Sequence, residues 1–68
     1  MDNQKLIAEW QTKIVGFCEA KLGRQLSPPE LRSIKRFNGF QALETIEDTV
    51  NQAQPNEVER YLGTLAAQ

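Results

Sequence analysis

Residues 26–50 read LSPPELRSIKRFNGFQALETIEDTV, and the fold turns on what happens at Asn38-Gly39 within them. An α-helix turns about 100° per residue, so residues on one face recur at spacings of three and four. Leu31, Ile34 and Phe37 share one such face. Carried unbroken through Gly39, the same helix would place Leu43, Ile46, Val50 and Ala53 on roughly the opposite face. A break at Asn38-Gly39 lets both stripes point into one core. Gly39 suits a left-handed residue just past a helix end, where a Cβ is penalised. Phe40 is then expected to pack back on the turn of Ile34. Asn38, with Gln41 three residues on, is placed to cap the next helix. The alternative is one kinked helix that tolerates Gly39 in its interior.

The start of this stretch is marked by Ser27-Pro28-Pro29-Glu30, which has the form of a capping box. Ser27 can accept from the Glu30 amide while the Glu30 carboxylate reaches back to the Ser27 amide. Pro28 falls at the first helical position, where a missing N–H costs nothing. Leu26 and Leu31 take the positions of a hydrophobic staple.

Working outward, a first helix is expected over residues 3–22. Leu6, Ile7, Trp10, Ile14, Phe17 and Cys18 fall on one broad arc, extended by Val15 and Leu22; Lys5, Glu9, Thr12, Gly16 and Glu19 fall on the other. Asp2 or Asn3 can cap its start. Lys21 suits the negative end of its dipole, and Gly23 the residue after it. The second and third helices are expected over 28–37 and 39–53. After a loop at 54–56, Asn56 and Glu59 form a second capping pattern. A fourth helix then carries Val58, Tyr61, Leu62, Leu65 and Ala66. No run alternates apolar and polar as a half-buried strand would.

These elements predict an all-α fold, a single domain over residues 1–68. It is an irregular bundle of four short helices around Trp10, Phe17, Phe37, Phe40, Leu43, Ile46 and Leu62. A chain of 68 residues builds only a modest core, so it gains from self-association or a partner. With one cysteine, no signal-peptide pattern and no long apolar run, the cytoplasm is the default and no membrane association is expected.

The chain has no histidine, which removes the commonest general base and metal ligand. No phosphate loop, metal-ligand spacing, nucleophile–base pair or dinucleotide fingerprint is present. An enzyme is therefore not expected, nor a cofactor or metal. Cys18 reads as a small core residue, with Glu19 beside it disfavouring a thiolate.

Charge is unevenly spread although the net is only −1. Lys21, Arg24, Arg32, Lys35 and Arg36 stand against Glu30 in residues 21–40. Glu44, Glu47, Asp48, Glu57 and Glu59 stand against Arg60 in residues 41–68. Arg32, Lys35 and Arg36 lie opposite the apolar stripe of the second helix and offer a solvated face, a protein-binding face or phosphate contacts. Against nucleic acid, the following helix exposes Glu44, Glu47 and Asp48, which repel a phosphate backbone, and no aromatic residue interleaves with the basic ones. Those three carboxylates read as a solvated acidic face, a docking patch for a basic partner or, least of all, a cation site. The basic and acidic faces also suit contact between two copies of the chain.

Trp10 is expected either to anchor the core or to serve as an interface hot spot. Gly16 and Gly63, inside helices but off their apolar faces, either are tolerated there or let another backbone come close. The function expected is a non-catalytic protein-binding module: a small regulator, inhibitor or accessory subunit, with a homodimer as one form. Its partner-binding candidates are Trp10, Arg32, Lys35, Arg36, Glu44, Glu47 and Asp48. The alternative is a nucleic-acid-binding regulator that uses Arg32, Lys35 and Arg36.

Overall fold

A computed structural model describes residues 3–67 of the chain. In order, the helices are α1 (Asn3–Leu22), α2 (Pro28–Lys35), α3 (Phe40–Gln52) and α4 (Pro55–Ala67). The fold is all-α, with no strand among the described residues. α1 packs against each of the other three helices, and α2 also packs on α4. Twenty helical residues at 1.5 Å each make α1 about 30 Å long, so it spans most of the 37 Å long axis. No helix among the described residues is long and apolar enough to cross a membrane.

The chain breaks where the two stripes conflict in phase. α2 ends at Lys35, two residues before the expected boundary, and the chain is non-helical over 36–39. Arg36 N–H closes on Arg32 O and Phe37 N–H on Ile34 O, which tightens the last turn. Gly39 is not left-handed. It is extended (φ −105°, ψ 143°) and is itself the N-cap of α3, in place of Asn38. A gap of four residues redirects the chain through extended backbone, so no left-handed residue is needed. The left-handed glycine is Gly23 (φ 69°), at the expected end of α1, with its N–H on Glu19 O.

Both proline-led helices start the same way. Ser27 N–H donates to Glu30 Oε1 at 2.8 Å, and Gln54 N–H donates to Glu57 Oε1 at 2.8 Å. The start of α4 thus lies two residues before the pattern expected at Asn56 and Glu59. Pro55, with φ already near the helical value, begins the helix and makes Glu57 the third helical residue. At α1, Asn3 is already helical, and the expected cap at Asp2 lies outside the described residues.

The core is aliphatic: Ile14, Cys18, Leu26, Ile34, Leu43, Ile46, Val50, Val58, Leu62 and Leu65. The aromatic-centred core expected from sequence is corrected here. Trp10, Phe17 and Phe37 pack around its edge, and Phe40 is 47% exposed. The physical reason is angular. The inward side of α1 is centred on Ile14 and Cys18, and Trp10 and Phe17 lie to one flank of it.

Three helix C-termini are closed by side chains from elsewhere in the chain. Gln11 Nε2 on α1 donates to Lys35 O (3.0 Å) and Phe37 O (2.6 Å) at the end of α2. Lys21 Nζ donates to Asn51 O (2.8 Å) and Ala53 O (2.7 Å) at the end of α3, rather than serving its own helix. Arg36 Nη2 donates to Leu65 O (3.0 Å) near the end of α4. Each satisfies carbonyls that a helix leaves without an internal partner.

Candidate functional site

The same contacts fix how α1 and α3 lie together. Trp10 meets Phe40, Lys13 meets Glu47, and Lys21 meets Asn51 and Ala53, so the two helices run in the same direction. Near the start of α3, the rings of Trp10 and Phe40 stack with centroids 5.9 Å apart at 28°. Leu6, one turn before Trp10 on α1, is 43% exposed. The seam between α1 and α3 therefore opens to solvent as an apolar patch of Leu6, Trp10 and Phe40. Phe40, the first residue of α3, sits beside α1 at the level of Trp10. Leu6 belongs to the apolar arc of α1, wider than one helix contact needs, that the sequence offers as a binding surface. Phe40 is the functional candidate that sequence reasoning missed, since its spacing places it in the core. Both carry the apolar spacing of core residues, and only the placement of α3 shows that they stay uncovered.

Charged residues rim the seam. Lys13 Nζ lies 3.8 Å from Glu47 Oε2 and 5.7 Å from the centre of the Phe17 ring, with 63% of its side chain exposed. Glu44 and Asp48 are exposed, whereas Glu47 is half-buried against α1. The acidic trio is therefore split, and Glu47 belongs to the packing of α1 on α3. No group of three His, Cys, Asp or Glu residues suited to a metal ion occurs among the described residues.

The basic candidates divide too. Arg32 and Lys35 are exposed and make no ion pair with the described residues. Arg36 is exposed but engaged, through its bond to Leu65 O and with its guanidinium 5.3 Å from the Phe37 ring centre. Pro29, Arg32, Ser33, Arg36 and Ala66 line an open groove of about 360 Å³ between α2 and α4. Ser33 Oγ, buried beneath it, donates to Glu30 O at 2.6 Å.

Two ionisable groups are strongly shifted, and each has a structural cause. Arg24 forks onto Glu30 through Nη1–Oε1 (2.9 Å) and Nη2–Oε2 (3.0 Å), and the Ser27 amide adds a third donor. These bonds, that from Arg24 foremost, hold the Glu30 carboxyl down at about 2. Burial first, then the carboxylates of Glu30 and Glu19, push the Cys18 thiol up to about 11. Cys18 is fully buried and free, so neither its access nor its ionisation suits a nucleophile.

No family model, no curated protein and no solved structure matches the chain.

Proposed function

We propose that this chain is a non-catalytic protein-binding module, acting as a small regulator, inhibitor or accessory subunit. The observation that carries this reading is the exposed stack of Trp10 on Phe40 with Leu6 beside it. Large aromatic side chains left half-exposed over a packed seam are the kind that anchor protein interfaces. The buried, weakly acidic Cys18 and the absence of histidine support a non-catalytic role. A single buried thiol accords with a cytoplasmic setting. A second copy of the chain is one partner such a face admits.

The test is quantitative capture from the host extract with wild-type and Phe40→Lys chains as bait. The expected result is a stoichiometric protein partner retained by wild type and lost by Phe40→Lys, with unchanged helix content. Identical captured sets would count against the reading. A nucleic-acid role has one observation in its favour, the exposed Arg32 on the α2–α4 groove with Lys35 exposed on the same helix, neither in an ion pair with the described residues. Salt-dependent binding of duplex DNA that disappears in Arg32→Ala/Lys35→Ala would favour it instead.

A further inference from the structure

We propose that the α1–α3 seam pairs with the same seam of a second copy about a two-fold axis that runs along it. This inference rests on the reading of that seam as a protein-binding surface and names the occupant. The argument is one of charge across the seam. α1 and α3 are parallel, with Trp10 and Phe40 at one level. One turn further on, α1 carries Lys13 and α3 carries Glu44, both exposed. A two-fold along the seam sets α1 of one copy over α3 of the other without shifting the level. Lys13 of each copy then meets Glu44 of the other, and the two Trp10–Phe40 stacks close face to face. Lys13 on one helix, which also lies 3.8 Å from Glu47 of its own chain, and Glu44 on the parallel neighbour complement themselves under this operation, as an isologous interface requires. A single foreign partner of one charge sign would meet one favourable edge and one repulsive one.

The size of the patch sets the strength. α3 is about 20 Å long and two helices side by side are roughly 20 Å wide, so each copy offers ~400 Å² and the pair ~800 Å², below the roughly 1,000 Å² of a stable interface and in the range of transient contacts. The dimer is accordingly reversible, and its formation depends on protein concentration.

Sedimentation of the full chain from micromolar to millimolar concentration tests this, with circular dichroism melts to check folding. The expected result is a monomer–dimer equilibrium that Phe40→Lys or Leu6→Lys weakens roughly tenfold or more, since both replace an apolar centre by a charge. Leu6 and Phe40 lie outside the buried core, and if one variant unfolds the other still reads the interface. Glu44→Lys should also weaken pairing, by setting a lysine against Lys13 of the other copy. A wild-type chain that stays monomeric, or a dimer indifferent to both apolar variants, overturns the two-fold pairing. A monomeric wild type leaves the bait comparison to decide the protein-binding reading on its own.

Discussion

At 9% exposure Gln11 has little contact with water, and its amide is shared between two carbonyls at the end of α2. Truncation strands both acceptors in a partly buried place. Gln11→Ala is expected to cost ~1–3 kcal/mol, the penalty for unmet polar groups, read as a lower urea midpoint at unchanged slope. Glu30 gives a second residue-scale prediction. Its carboxyl titrates near 2 when folded and at the ordinary 4.5 when unfolded. A depressed folded value means that the contribution is fully present above 4.5 and lost as pH falls toward 2. The melting temperature should therefore fall across that window, and Glu30→Gln should flatten the fall. The two residues differ in how far sequence revealed them. Glu30 is three residues from its cap partner, so its role is local and legible. Gln11 is 24 and 26 residues from its acceptors, and an amide at that position carries no local signal.

The helices themselves separate what glycine does inside an element from what it does at an end. At Gly63 an added Cβ meets open space within ordinary helical backbone. Gly63→Ala is expected to raise stability by about 0.5–1 kcal/mol. At Gly23 the space is equally open but φ is +69°. Gly23→Ala should lower stability by about 1 kcal/mol, the cost of a Cβ in left-handed backbone. Thermal melts of the two variants should shift in opposite directions. Neither Gly16 nor Gly63 serves a close approach of backbone within this chain. The element boundaries followed the same rule of range as the residues. α1 ran from 3 to 22 as its periodicity predicted, and Ser27-Pro28-Pro29-Glu30 marked the start of α2. The joint between α2 and α3 was legible as a phase conflict, but its conformation was not. Whether Gly39 turns left-handed or extended depends on where α1 holds the two helices.

For the molecule as a whole, a fully buried Cys18 serves as a reporter. It is part of the core and lies one turn from the end of α1, against which the other helices pack. Alkylation should be slow in the folded state, both because the thiol is covered and because burial opposes its ionisation. Its rate should rise with urea in step with the loss of helix signal if the domain unfolds as one unit. Leu62→Ala should shift both transitions together, by ~2–5 kcal/mol for a large aliphatic side chain removed from a packed interior. That the Trp10–Phe40 stack lies open was not legible at this scale, since apolar spacing reads the same for a residue facing the core and one facing solvent. The crossed closures of the helix ends have one more consequence. Lys21 and Arg36 both precede the exposed Asn38, and their acceptors on α3 and α4 both follow it. A chain severed at that joint would leave two halves with matching gaps, donors on one and bare carbonyls on the other. Mixed in solution, the two peptides should find each other and regain the helicity that neither holds alone.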